Sequence, residues 1–372
     1  MRVRGAVVWE AGAPAPYAAS RPVDVTELEL ADPGPGELLV RVGAAGLCHS
    51  DLSVIDGSRV RELPIALGHE AAGEIVALGA GTTGVQPGDH VVLTFVPPCG
   101  DCAPCRSGRP SLCEPAAVAG VSGTLLSGER RVTTNGRALH HHSGISAFAE
   151  HVVVDARSAV RVDPDLPWDV AAVFGCAVLT GVGAAVNAAG VREGERVAVF
   201  GLGGVGLAAL MGAMMAGASE VIGVDVVGGK LERARALGAT AILSDGDVVA
   251  AVREATGGGA EKVIDATGNI SALADAYAAT RRGGTTVTVG LPHPEQMLSI
   301  PAVSLVTEEK TLRGSYLGSC IPARDIPRFV GLYRAGRLPV DRLLSHTIAL
   351  DEINEGFDRL ASGEAVRQAV VF

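Results

Sequence analysis

Apolar positions along this chain of 372 residues fall into two rhythms. Up to about residue 160 they form short, β-branched stretches broken by turns: residues 5–9, 37–44 and 71–78. Gln86-Pro87-Gly88-Asp89 then reads as a turn leading into strand-like residues 90–96. The stretch 99–113 is too polar and too punctuated for a core element. Residues 124–142 look like a long excursion, and 148–154 are strand-like again. This first part is predicted to be mixed and mostly β.

Near Pro167 the pattern changes. Residues 170–179 and 182–189 suit helices, and the short apolar strand 196–200 runs into Gly201-Leu202-Gly203-Gly204-Val205-Gly206. A helix-like run to Ala216, strand 221–224, charged helix 230–237 and strand 241–243 follow, then strands 262–266 and 285–290 around a helix at 271–277. Such alternation predicts a parallel sheet covered on both faces. It stops before helix 326–335, so that helix and the tail from His346 should return to the first part. The expected division is 1–178, with a lobe at 97–115, then 179–320, then a return over 321–372.

Length alone favours two domains. With 3% aromatic residues and a net charge of −10, the chain lacks the stacking platforms and basic surface that nucleic acid requires. No apolar run approaches the roughly 20 residues that span a bilayer. The N-terminus reaches Trp9-Glu10 without the apolar core of a signal peptide. A cytoplasmic protein with no membrane partner is expected.

Gly201-x-Gly203-x-x-Gly206 stands directly after a predicted strand, and Asp225 closes the next one. In that setting the first glycine allows a tight turn, the second lets a pyrophosphate approach the backbone, and the third lets helix and strand pack closely. Gly204 and Val205 open the helix, whose unpaired N–H groups suit phosphate. Asp225 can accept from both hydroxyls of an adenosine ribose and would repel a 2′-phosphate. Val226-Val227-Gly228-Gly229 offers no arginine to neutralise one, so NAD is favoured over NADP. Lys230 lies either along the adenosine edge or in solvent.

The cysteines divide into a cluster and three isolated residues. Cys99, Cys102, Cys105 and Cys113 could close a tetrahedral zinc shell with no vacant position, which would make the site structural. An iron–sulfur cluster is the minor alternative. An odd total of 7 cysteines argues against a disulfide framework. Cys48, His69 and Cys176 are dispersed, and spacing alone does not bring them together. Read singly, each is a small buried cysteine or a core histidine.

Gly68-His69-Glu70-x-x-Gly73, the contexts of Cys48 and Cys176, the four-cysteine lobe and the late glycine motif closely resemble zinc-containing alcohol dehydrogenases of the medium-chain superfamily. The likeness covers essentially the whole chain. The excursion through His140 resembles the long, liver-type and formaldehyde-dehydrogenase branch. The resemblance implies an α/β protein: a GroES-like, mostly β catalytic domain plus a Rossmann doubly wound parallel sheet. It implies two zinc ions per subunit, a homodimer, and reversible oxidation of a primary or secondary alcohol with hydride transfer to NAD.

By the same resemblance, Cys48, His69 and Cys176 hold a catalytic zinc and Glu70 stands beside it or visits it. Asp51 orients His69, Ser50 meets the substrate oxygen, and His49, Thr180, Gly290 and Leu291 meet the cofactor. The substrate pocket is expected from Phe95, Val118, His142, Leu291 and Leu317. Two departures stand out. Ser53 occupies the place of a relay histidine. Gly57, Arg59 and Ala117 stand where glutathione-adduct enzymes need acidic and basic residues. A polyol or other thiol-adduct dehydrogenase, or a noncatalytic NAD-binding protein, are the competing expectations.

Overall fold

Strand Glu37–Leu47 organises the first of two compact units. Leu38, Val40 and Val42 point into the core while Arg41 between them is exposed, the alternation of a half-buried strand. Its second half, Gly43-Ala44-Ala45-Gly46, carries almost no side chains because both faces are occupied. A Cβ on Gly43 would lie 2.5 Å from the Trp168 ring, and one on Gly46 would lie 2.5 Å from the Glu70 carboxylate. The strand therefore continues past Ala44, where the small residues made it look finished.

One edge of this strand pairs with Ala71–Leu78. The other edge is shared. Residues 37–41 pair with His151–Asp155, and residues 44–47 with Arg367–Val371. The sheet is completed by His90–Leu93 and Ala159–Val162 on one side and Leu344–Ile348 on the other. A second sheet of six strands contains Val23–Leu30, Arg2–Val8 and Ile65–Ala66. The excursion joins it through Val132–Thr134, Arg137–Ala138 and His140–His141. The core of this unit includes an edge-to-face pair, Phe148 and Phe357, with centroids 6.2 Å apart and both rings fully buried. Truncating either to alanine should cost about 3–5 kcal/mol.

The second unit is a six-stranded, all-parallel sheet in the order Thr240–Leu243, Glu220–Asp225, Arg196–Phe200, Ala260–Asp265, Thr280–Thr288, Thr311–Gly314. Helices Gly204–Met215, Gly228–Leu237, Val248–Ala255 and Ile270–Ala279 connect successive strands. The strand order reverses beside Arg196–Phe200, and at such a switch point the carboxyl ends of the strands leave room for a ligand. The computed structural model describes all 372 residues.

Several elements differ from the sequence expectation. Residues 170–179 are not one helix. Helix Trp168–Ala172 passes through a 3-10 turn, Val173–Gly175, into helix Ala177–Gly183. The break has a cause: a Cβ on Gly175 would lie 2.4 Å from the carbonyl oxygen of Leu93, so the chain is pressed against a strand there. Cys176 follows with φ −138 and ψ −68, outside helical geometry. Strand Val23–Leu30 and helices Glu114–Ser122 and Val248–Ala255 had not been expected.

The expected return over 321–372 is corrected for residues 331–343. The first unit comprises Met1–Cys176, Ile321–Val330 and Leu344–Phe372, whereas Gly331–Leu343 belongs with Ala177–Cys320. Val340 and Leu343 are buried, and Arg342 donates to the Ala236 carbonyl oxygen at 2.6 Å. No single helix is long and apolar enough to cross a membrane.

Candidate metal centres and dinucleotide site

Cys48 follows the end of the central strand and caps helix His49–Ile55 in extended geometry. Asp51, in the first turn, folds back so that its Oδ2 accepts from the Cys48 N–H at 2.9 Å. Its Oδ1 lies 2.9 Å from Nδ1 of His69. An ionised carboxylate can only accept, so Nδ1 carries a proton, and it is the neutral ring that presents a lone pair at Nε2. Nε2 is buried and has no hydrogen-bond partner. Gly68 makes the placement possible: with φ +99, its Cβ would lie 2.6 Å from the Phe148 nitrogen.

The structure brings His69 together with the two isolated cysteines. A ring nitrogen of His69 and the sulfurs of Cys48 and Cys176 all lie within 4.8 Å of one another. Hydrogen bonding from Cys176 holds the Cys48 thiol well below its usual pKa, despite opposition from burial. Cys176 is correspondingly held well above its usual value. Two buried sulfurs this close cannot both carry charge without a cation, and the unpartnered Nε2 of His69 lies within the same cluster. The donor set fits zinc.

Glu70 is fully buried, which pushes its carboxyl up to about 7 against the pull of Arg367. Arg367 Nη1 lies 3.5 Å from Glu70 Oε2 and donates to the Leu47 carbonyl oxygen at 2.8 Å. Sequence reasoning missed Arg367. Its signal was a charged residue inside the apolar strand Arg367–Val371.

The substrate-pocket residues fare unevenly. Phe95 sets a ring edge against His69, with centroids 5.5 Å apart. His142 is buried, with its Nδ1 3.1 Å from Asp51 Oδ1. Val118 is 67% exposed and lines a surface hollow of the cysteine lobe with Cys102, Ala119 and Leu125. Leu317 is buried within the second unit, whereas Leu291 is exposed there. Ser50 is half-buried on the capped helix and His49 is exposed. Ser53 Oγ donates back to the His49 carbonyl oxygen at 2.8 Å.

In the lobe, the four sulfurs of Cys99, Cys102, Cys105 and Cys113 lie within 4.8 Å of one another. The Cys102 and Cys113 sulfurs are 4.0 Å apart, close to the roughly 3.8 Å edge of a zinc–sulfur tetrahedron. Backbone N–H groups already point inward: Cys102 donates to the Cys99 sulfur and Cys99 to that of Cys113, both at 3.2 Å. Donation from the Cys102 and Asp101 amides pulls the Cys99 thiol down to about 6. Four thiolates that close a shell leave no position for substrate.

The glycine turn of the second unit has the expected geometry. Gly201 has φ +85, and a Cβ on Gly206 would lie 1.7 Å from the Gly201 carbonyl oxygen. A Cβ on Gly203 would instead meet nothing within 4 Å. That open cradle lies at the start of helix Gly204–Met215, whose first turn has no side-chain cap. Its amides are available to an anion, so the residues fit a pyrophosphate.

Asp225 accepts from Leu202 N–H at 2.7 Å and from Val227 N–H at 2.9 Å, so each oxygen keeps lone-pair capacity for another donor. Lys230 Nζ stands 3.9 Å from Asp225 Oδ2. Thr180 is buried on helix Ala177–Gly183. Gly290 is a packing glycine whose Cβ would lie 2.2 Å from the Gly268 nitrogen.

Residues 34–167 match the alcohol dehydrogenase GroES-like domain, and residues 204–334 match the zinc-binding dehydrogenase domain. The chain is 39% identical to the NDMA-dependent alcohol dehydrogenase of Amycolatopsis methanolica, over 95% of this chain and 97% of that protein. The structure of benzyl alcohol dehydrogenase from Acinetobacter calcoaceticus aligns with a TM-score of 0.93 at 33% identity, covering 100% of this chain and 99% of that one. An alcohol dehydrogenase zinc-binding domain protein from Burkholderia ambifaria aligns at 0.94 with 35% identity, covering 100% and 99%. Fold, domain matches and full-length identity agree: the chain belongs to the zinc-dependent medium-chain alcohol dehydrogenase family.

Proposed function

We propose that this protein is a zinc-dependent, NAD-linked dehydrogenase that interconverts a primary or secondary alcohol with its aldehyde or ketone. The observation that carries the reading is the orphaned Nε2 of His69 beside the paired sulfurs of Cys48 and Cys176. Two cysteines and a histidine with an open fourth position are the ligand set of zinc alcohol dehydrogenases. When bound, zinc supplies Lewis-acid polarisation of the substrate oxygen, and NAD supplies the hydride acceptor. Cys99, Cys102, Cys105 and Cys113 would hold a second, structural zinc.

The chain's own residues divide the remaining work. Asp51 keeps the His69 proton on Nδ1, so that Nε2 stays a donor to metal. Ser50, half-buried, accepts the proton of the substrate hydroxyl while its own hydroxyl hydrogen passes to solvent. Ser53 commits its own hydroxyl hydrogen to the helix backbone, so it can relay only as an acceptor. Asp225 binds the adenosine ribose, and the open face of Gly203 admits the pyrophosphate.

Phe95 against His69 supplies an apolar wall suited to an aromatic or aliphatic alcohol, and the likeness to benzyl alcohol dehydrogenase supports the aromatic choice. A second copy of the chain is the proposed partner. Edge strand Thr311–Gly314 and exposed Met297, Val303 and Val306 offer it an unpartnered surface.

A second reading is favoured by the NDMA-dependent relative: turnover requires NDMA. Metal analysis combined with alcohol oxidation, assayed with NAD alone and with NDMA, tests both. Two zinc ions per chain and alcohol-dependent NADH formation are expected. Turnover only with NDMA would favour the second reading. No oxidation under either condition would overturn both.

A further inference from the structure

Asp51 serves two histidines. Its Oδ1 faces Nδ1 of His69 at 2.9 Å and Nδ1 of His142 at 3.1 Å, and all three side chains are buried. The two rings meet edge to face with centroids 5.2 Å apart. The His142 nitrogen lies off the ideal hydrogen-bonding angle and has no hydrogen-bond partner. A buried ring nitrogen without a partner is costly, and the acceptor at 3.1 Å is a carboxylate, so a small rotation satisfies it. Because Asp51 only accepts, the proton of His142 must then sit on Nδ1.

The loop around His142 is folded to hold the ring there. The His142 amide donates to the Ala66 carbonyl oxygen at 3.1 Å, and its own carbonyl accepts from Ile145 and Ser146. Ser143 and Ser146 adopt left-handed φ values of 55 and 59, which cost a non-glycine residue of order 1 kcal/mol or more each. Ser146 Oγ also lies 2.9 Å from Nδ1 of the neighbouring His141. The triplet His140-His141-His142 thus splits three ways: one ring at the edge of the sheet, one on a serine, one on Asp51.

We infer that His142 is a positioning residue for the proposed catalytic zinc, acting through Asp51. It fixes the Asp51 carboxylate that aims His69 Nε2. This rests on the proposed reading of Cys48, His69 and Cys176 as a zinc site. Removing the second imidazole should loosen the hold on His69 without touching a metal ligand.

The test compares wild type, His142→Phe and His142→Asn. With a chelator present, His142→Phe should release one of its two zinc ions about 10-fold faster than wild type, while the four-cysteine zinc stays as an internal control. With cobalt replacing the catalytic zinc, the ligand-field bands of the Phe variant should shift. His142→Asn, whose side-chain N–H can reach Asp51, should restore both readouts in part. In wild-type protein labelled with 15N-histidine, two far-downfield Nδ1–H protons are expected, a measurement that does not depend on the Phe variant folding.

Wild-type release and unshifted bands in His142→Phe would overturn the inference, as would a single downfield proton or no rescue by asparagine. If wild-type protein holds zinc only in the four-cysteine lobe, the proposed function fails, and this inference with it. Two wild-type zinc ions with an indifferent His142 would sink this inference alone.

Discussion

His69 Nδ1 and Asp51 Oδ1 stand 2.9 Å apart in a site where neither side chain is more than 3% exposed, while the other Asp51 oxygen holds the Cys48 amide. One carboxylate therefore sets two of the three proposed metal ligands. Asp51→Asn cannot serve both, because its NH2 group must face either the Cys48 N–H or the His69 Nδ1–H. Catalytic zinc should bind about 10–100-fold more weakly. Metal titration of the apo protein checks this, and unchanged affinity would refute the role.

Cys102→Ala should cost one zinc per chain and lower thermal stability without changing substrate preference. If the loss is about 2 kcal/mol, a unit of this size should melt roughly 4–8 °C lower. Elemental analysis and calorimetry check the two parts together. Full zinc content with an unchanged Tm would show that the lobe does not depend on metal.

Asp225→Ala removes the acceptor for two backbone amides as well as the proposed ribose contact. The Leu202 amide is left buried and unpaired. Charged hydrogen bonds of this kind contribute about 1.5–3 kcal/mol each, so NAD should bind roughly 10–100-fold more weakly. NADP should lose less, since a repelling charge disappears at the same time. The kcat/KM ratio for the two cofactors measures it, and an unchanged ratio would exclude Asp225 from cofactor choice.

Glu261 joins two parallel strands through the Arg196 amide at 2.9 Å, the Arg196 guanidinium at 2.8 Å and Arg281. Burial, the largest single influence, pushes its carboxyl up, but the arginine contacts together bring it to about 2. A carboxyl with a lowered folded pKa stabilises the fold while ionised. Its contribution is complete above pH about 4.5 and lost as pH falls through about 2. Glu261→Gln should therefore be about 1–2 kcal/mol less stable at pH 7, with the gap closing in acid. Urea unfolding across that pH range checks it, and a gap that widens in acid would contradict the assignment.

Much of this was legible in the sequence because it was local. The glycine turn, the strand before it and Asp225 lie on one short stretch, and each glycine does a job that only local backbone geometry demands. The four cysteines of the lobe are likewise neighbours. What escaped was long-range. The contact of His142 with Asp51 was hidden because nothing in a run of three histidines says which ring meets an aspartate 91 positions earlier in the chain (142 − 51). Arg367 reaches the Leu47 carbonyl only through strand pairing. The break before Cys176 depends on Gly175 pressing against the Leu93 carbonyl, a contact that no periodicity encodes.

Strand Arg367–Val371 fills the open half-edge beside residues 44–47 and delivers Arg367 next to Glu70. During translation, Cys48, His69 and Cys176 leave the ribosome long before that strand exists. The second sheet and the parallel sheet have all their strands by Gly314 and can settle early, whereas the metal-binding fold waits for residues 344–371. Nascent chains stalled before Arg367 would thus hold the three ligand side chains with their guanidinium neighbour still missing.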